Sequence, residues 1–322
     1  MTNPDRALVR AAPALSPAIT APPDQNPAAV YLARLAPGSR RTMATALATI
    51  AGWLTSGRDN ADTCRWHELR YQHTQALRAH LAEQYAPATA NKLLSALRGV
   101  LQECWRLGLM NAEDQRRAAD VAGVKAATLP RGRALPAGEL RALFVACAAD
   151  PTPAGRRDAA IVAVLVGAGL RRAEAAALDL ADYDAESGAL TVRSGKGRKD
   201  RISYLTNGAG RAMQAWLQAR GDAAGALFCP VDRLGVVTVR RMTSQSVYNA
   251  LAKRGDAAAI ARFSPHDLRR TFVSELLDAG ADIATVQRLA GHASVTTTQR
   301  YDRRGEQAKR KAAALFHVPY VA

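Results

Sequence analysis

Apolar residues recur at helical spacing along almost the whole chain, and the clear interruption is one short stretch, ALTVRSGKGRKDRISYL at residues 189–205. There two β-branched runs flank a glycine-punctuated turn, the pattern of a small antiparallel hairpin. The expected fold class is therefore mainly α with a small antiparallel β-sheet. From 28 to 121 the chain reads as all-helical, with helices near 40–54, 73–84 and 88–107. In the last of these Leu93, Leu94, Leu97, Val100, Leu101, Cys104 and Trp105 form one apolar stripe, while Lys92, Arg98 and Arg106 point elsewhere. Further helices are expected near 137–149 and 155–167, and helical spacing returns from Gln214 onward.

The 322 residues suit two domains. The segment VKAATLPRGRALP combines prolines, a glycine and basic residues without apolar periodicity, which makes 124–136 a basic linker. Residues 1–27 carry too many prolines and charges for a signal-peptide core and are expected to be a disordered leader. The domains then run from 28 to 123 and from 137 to 322. No apolar run approaches the length of a membrane span, so no membrane partner is expected. Cys64, Cys104, Cys147 and Cys229 lie far apart with no CxxC pair, which disfavours a disulfide framework or zinc ribbon and fits a reducing cytoplasm.

Lys and Arg number 44 against 28 Asp and Glu, a formal charge of +16 that points to a polyanionic partner. Nucleic acid is favoured because a phosphate backbone releases counterions to clustered cations. Aromatics are only 5%, which argues for duplex backbone contact over single-strand stacking. Lys92, Arg98, Arg106, Arg131, Arg133, Arg198 and Lys199 are candidate DNA contacts.

The most informative segment is FSPHDLRRTFVSELLDAGADIATVQRLAGHASVTTTQRYDRR, residues 263–304, which encodes three short helices. Pro265 starts the first and Gly280 ends it; Asp282 can cap the second, Gly291 closes it, and Ser294 can cap the third. His266 and Arg269 share one face of the first helix, opposite Leu268, Phe272 and Leu276. His292 follows a helix stop, and Tyr301 is expected about two turns into the third helix. A His-x-x-Arg pair also suits a solvated face, and the glycine turn suits a helix-turn-helix groove reader over 282–301.

Upstream, GAGLRRAEAAAL at 167–178 places Arg171 where a glycine turn opens a helix, a position that favours an anion. Arg171 and Arg172 could instead be surface charges paired with Glu174. The phrase is a poor dinucleotide fingerprint, because Arg172 occupies the third small-residue position and the preceding run is helical. GKGRKDR at the hairpin lacks a phosphate-loop arrangement, leaving Lys196 as an ammonium presented by a turn.

Arg171 in GLRxxE, Lys196 in GKG, His266 to Arg269 in HxLR, and Gly291 to Tyr301 in GHxSxxTTxxY resemble, in that order, the tyrosine recombinase (phage integrase) family, especially its Xer-like and mobile-element members. The similarity of organisation covers about residues 28–316. Ala168 replaces a threonine common before GLR, and Asn111-Ala112 replaces a usual Asn-Pro; neither touches a catalytic position. The resemblance implies a two-domain DNA clamp, with a SAM-like core-binding domain followed by an α+β catalytic domain. It implies that Tyr301 forms a 3′-phosphotyrosyl bond, that Arg171 and Arg269 clamp the non-bridging oxygens, and that Lys196 protonates the leaving 5′ oxygen. His266 then assists proton transfer at the nucleophile and His292 hydrogen-bonds the phosphate. No metal or ATP is implied. Paired DNA sites and a homo-tetramer are, with the apolar tail Leu315, Phe316, Val318 and Tyr320 docking on a neighbouring protomer or folding back on its own domain. A type IB topoisomerase-like enzyme and a non-catalytic DNA-binding regulator remain as alternatives, and a nucleoid-associated cytoplasmic location is expected.

Overall fold

The computed structural model describes residues 22–125, 132–193, 200–292, 294–299 and 301. The chain divides into two compact units at 129/130.

In the first unit, α1 (Pro27–Ala33), α2 (Pro37–Leu54), α3 (Tyr71–Gln84), α4 (Pro87–Arg106) and α5 (Ala112–Ala119) surround one apolar core. α4 is its spine, with Leu94, Leu97, Val100 and Leu101 fully buried against Leu47 and Ile50 of α2 and Leu77 of α3. Burying each such side chain contributes about 1.5–3 kcal/mol, an upper estimate. Trp105 departs from the expected stripe and is 44% exposed. At about 100° per residue it falls just beyond Leu94 at the stripe's edge, where the last turn runs past the core. Glu103 is buried on the same helix and is held by Arg34 and by Arg106 at 2.9 Å.

The second unit is built on α7 (Pro153–Gly167), in which every residue from Ala160 to Leu165 is fully buried. A helix apolar on all sides must be wrapped on all sides. α6 (Ala137–Ala148), α9 (Asn207–Arg220), α10 (Ser244–Ala257) and α11 (Pro265–Asp278) do so. α8 (Arg172–Ala177) follows α7 after a short turn. β1 (Ala189–Val192) and β2 (Arg201–Tyr204) pair antiparallel, with Ala189 opposite Tyr204 and Val192 opposite Arg201. This is the small sheet expected from the sequence. The segment between the strands, with Lys196, Arg198 and Lys199, lies outside the described residues, as does Arg131. α12 (Ile283–Ala290) and α13 (Val295–Gln299) follow and share with α11 a smaller core of Phe272, Val273, Leu277, Val286 and Ala290.

Three helices begin earlier than apolar spacing suggests, at Pro37, Pro87 and Pro153. Proline lacks the N–H that the first turn leaves unpaired anyway and its φ is already helical, so these starts precede the first core contact. The basic 124–136 segment is built into the domains at both ends. Val124 exchanges two hydrogen bonds with the Asn91 side chain (2.8 and 2.9 Å), while Arg133 N–H donates to Asp267 (2.9 Å) and Leu135 N–H to Thr271 (2.8 Å).

Candidate active site

α7 ends in a turn that only glycine accommodates. Gly169 has φ +64°, and a Cβ there would meet the Phe272 ring at 2.2 Å. The turn delivers Arg171 to the N-cap of α8. Its backbone N–H donates to Glu174 Oε2 (2.8 Å), its Nη1 to Glu174 Oε1 (2.6 Å) and its Nη2 to the Gly291 carbonyl (2.9 Å). Arg171 is thus paired with Glu174, as the surface-charge alternative supposed. The pairing takes place over a buried carboxylate, which locks the guanidinium's plane.

Glu174 serves a second guanidinium. Arg201, the first residue of β2, donates to both of its oxygens (3.1 and 2.7 Å) and, through Nε, to the Leu289 carbonyl (3.1 Å). Burial opposes ionisation of Glu174, but the hydrogen bonds from Arg201 and Arg171 prevail and hold its carboxyl at about 2.

α11 carries the next group. Ser264 and Asp267 form a capping box at its start, Ser264 N–H donating to Asp267 Oδ2 (2.8 Å). Arg269 is only 2% exposed and donates to the carbonyls of Gly169 and Ala290, joining the α7 turn to the end of α12. This corrects the expected amphipathic helix. Residues 267–273 are all buried, the Arg269 face included, whereas Leu276 is only partly covered, because α11 is packed between α7 and α12. Burial, then the neighbouring Arg171, pulls Arg269 down to about 10, still charged at neutral pH.

The α12–α13 junction supplies the rest. Asp282 caps α12 by accepting from Thr285 N–H (2.8 Å), and Gly291 closes it at φ +62°. His292 follows, buried, with Nδ1 2.9 Å from the hydroxyl of the fully buried Thr298. α13 stops at Gln299, so Tyr301 lies in a turn beyond the helix, its N–H bonded to Thr298 O (2.9 Å), and not two turns inside. The run VTTTQ is β-branched and too short to sustain a longer helix without packing. Leaving the helix lets the phenol fold back: Tyr301 Oη sits 3.4 Å from His266 Nε2. The ring stacks on His292 with centroids 6.0 Å apart, and the Arg270 guanidinium lies 5.1 Å from its centre.

Arg171, His266, Arg269, His292 and Tyr301 are therefore drawn to one place by α8, α11 and the α12–α13 turn. Burial, and then the excess of cations around Glu174, set the histidines. Burial first, then Arg269, Arg171, His266 and Arg201, lowers His292 from 6.5 to about 4. His266 is also held below 6.5 by its covered edge and by Arg269 and Arg270. Both imidazoles are neutral at physiological pH, and each can donate from one ring nitrogen and accept at the other. Sequence reasoning passed over Arg201, Thr298 and Arg270. A cation at the base of the hairpin and a threonine three residues before Tyr301 were the visible signals, but nothing in spacing alone aims them inward.

The candidate DNA contacts differ in what their side chains already bond. Lys92 is exposed and lines a groove of about 410 Å³ with Arg41, Thr42, Thr45, Tyr85 and Thr89. Arg98 instead donates to Val121 O, Arg106 pairs with Glu103, and Arg133 is engaged by Glu139 and by Ala261 O (2.8 Å).

Residues 133–307 match the phage integrase family. The chain is 34% identical to tyrosine recombinase XerC of Pelobacter propionicus over 69% of its own length and 71% of that protein's. It is 33% identical to tyrosine recombinase XerD of Xanthomonas axonopodis pv. citri, covering 75% and 80% of the two chains. Its fold resembles a lambda integrase dimer bound to a COC′ core site (TM-score 0.65, 16% identity, 86% of this chain and 93% of that one). It also resembles the Tn1549 transposon integrase in complex with a circular intermediate DNA (TM-score 0.64, 16% identity, 90% and 99%).

Proposed function

The chain belongs to the phage integrase family of tyrosine recombinases, and from that premise we propose that it is a site-specific recombinase that cuts and rejoins duplex DNA through a 3′-phosphotyrosyl bond at Tyr301. The observation that carries this reading is the approach of the Tyr301 phenol to His266 beside the half-buried guanidinium of Arg171 and the buried one of Arg269.

The chemistry follows from what a phosphodiester needs. A phenol with a pKa of about 10 is a weak nucleophile and must lose its proton as it attacks. Neutral His266 Nε2 is the acceptor at hand. As the Tyr301 Oη–P bond forms and the P–O5′ bond breaks, charge grows on the non-bridging oxygens. Arg171 and Arg269, whose forks are held in place by protein carbonyls and Glu174, meet that charge without reorganising. His292, neutral and with Nδ1 turned to Thr298, contributes an N–H from Nε2. Lys196 returns a proton to the 5′ oxygen. The ester retains the bond energy, so a 5′ hydroxyl of another strand reverses the step without metal or ATP. The groove around Lys92 offers a phosphate backbone two cations, Arg41 and Lys92.

A nicked duplex carrying the recombination site, in which the short fragment released with the free 5′ hydroxyl diffuses away, should trap wild-type protein as a covalent adduct and Tyr301→Phe not at all. Equal behaviour of the two proteins defeats the proposal. Recombination on paired sites by a tetramer is the further expectation: truncation after Gln307 should spare DNA binding and abolish recombinant products. Supercoil relaxation without recombinants would favour the topoisomerase-like alternative.

A further inference from the structure

Arg201 lies outside the set of groups that the reaction needs, yet its placement is among the most constrained in the second domain. Its side chain is 10% exposed and closes a ring of hydrogen bonds: Arg201 to both oxygens of Glu174, Glu174 to Arg171, Arg171 to Gly291 O, and the residues of that turn back to Arg201 through Leu289 O. Gly291 is part of the fit, since a Cβ there would lie 2.9–3.0 Å from Cδ, Nε and Nη1 of Arg201.

A buried carboxylate bonded by one guanidinium can still rotate and carry its partner with it. Here Oε1 of Glu174 receives bonds from both guanidinia, Oε2 receives one from Arg201 and one from the Arg171 backbone N–H, and the rotation is blocked. Lysine cannot replace this arrangement, because a single ammonium has no planar fork to span two carboxylate oxygens and the Leu289 carbonyl together.

We propose that Arg201 is a positioning residue for strand cleavage: by bridging Glu174 and the end of α12 it fixes the plane in which the Arg171 guanidinium meets the scissile phosphate. It acts through Glu174 and does not itself touch the substrate. This inference rests on the recombinase reading above.

The test is single-turnover adduct formation on the nicked duplex by wild type and Arg201→Lys, on two substrates: an ordinary scissile phosphate and a methylphosphonate lacking the non-bridging charge. Duplex affinity should be unchanged. Cleavage of the ordinary phosphate should slow by about 100-fold, as expected when a catalytic group shifts by roughly an ångström. On the methylphosphonate most of that deficit should vanish, because there is less charge for Arg171 to meet. The ratio of the two rates within one preparation is independent of how much of the variant is folded. Glu174→Gln should show the same ratio, and the double variant should be no worse than the more impaired single, since the two residues act as one unit.

An equal deficit on both substrates would reduce Arg201 to a structural ion pair and overturn the proposal. So would rescue by a 5′-bridging phosphorothiolate, whose sulfur leaves without a proton, because that would assign Arg201 to the leaving group. Equal cleavage of the ordinary phosphate by wild type and Arg201→Lys overturns it as well. Failure of the wild type to form any adduct overturns the recombinase reading instead.

Discussion

Thr298 shows how one hydroxyl can set the chemistry of a neighbour. It is fully buried and 2.9 Å from His292 Nδ1, so when the hydroxyl donates, the imidazole proton resides on Nε2. Thr298→Val leaves the buried nitrogen unpaired and should cost about 1–3 kcal/mol in urea unfolding, with slower adduct formation. Thr298→Ser should restore both. The histidine's electrostatics also predict a pH dependence. His292 is neutral in the folded protein down to about 4 but takes a proton near 6.5 when unfolded, so stability is lost as pH falls from 6.5 toward 4. His266 works in the same direction. Glu174 has the opposite charge type and the same sign of effect, with its stabilisation complete above 4.5 and lost as pH falls toward 2. Denaturant melts across this range should therefore decline steadily with acid, and His292→Gln should flatten part of the decline above pH 4.

At the scale of elements, the site is made by how helices end. α7 stops at a left-handed glycine that releases Arg171, α12 stops at another that releases His292, and α13 stops because its threonines cannot extend it, which releases Tyr301. Gly169→Ala and Gly291→Ala each place a Cβ in the left-handed region, at about 1–2 kcal/mol. They should nevertheless differ. At Gly169 the new methyl would stand 2.2 Å from a Phe272 ring packed in the core, whereas at Gly291 it meets an arginine side chain at 2.9 Å. Urea unfolding should show the larger loss for Gly169→Ala, while Gly291→Ala should keep more stability but lose cleavage rate. The glycine stops, the Asp282 cap and the helical spans were legible in the sequence, because capping and termination are local. Proline starts were readable but assigned late. The burial of Arg269 and the exposure of Trp105 were not readable, since each depends on which helix packs opposite, and helical spacing carries no such information.

At the scale of the whole molecule, an excess of 16 positive charges should make the proposed duplex affinity steeply salt-dependent. The contribution of each cation depends on whether the protein already uses it. Lys92 is exposed in its groove, so Lys92→Ala should reduce the slope of log affinity against log salt by about 0.9, the value for one phosphate contact. Arg98 is bound to the Val121 carbonyl, so Arg98→Ala should lower the melting temperature of the first domain and leave the slope nearly unchanged. Charge, helical periodicity and the order of the motif residues are properties of a linear string, and the string alone determined them, together with the family they resemble. Which groups meet was decided only by tertiary packing: Arg201 lies 27 residues from Glu174, and the Arg171 fork reaches Gly291 across 120. A guanidinium's partners are chosen by three-dimensional proximity in a low-dielectric interior, where every buried polar group must be satisfied, and that constraint has no counterpart in sequence spacing.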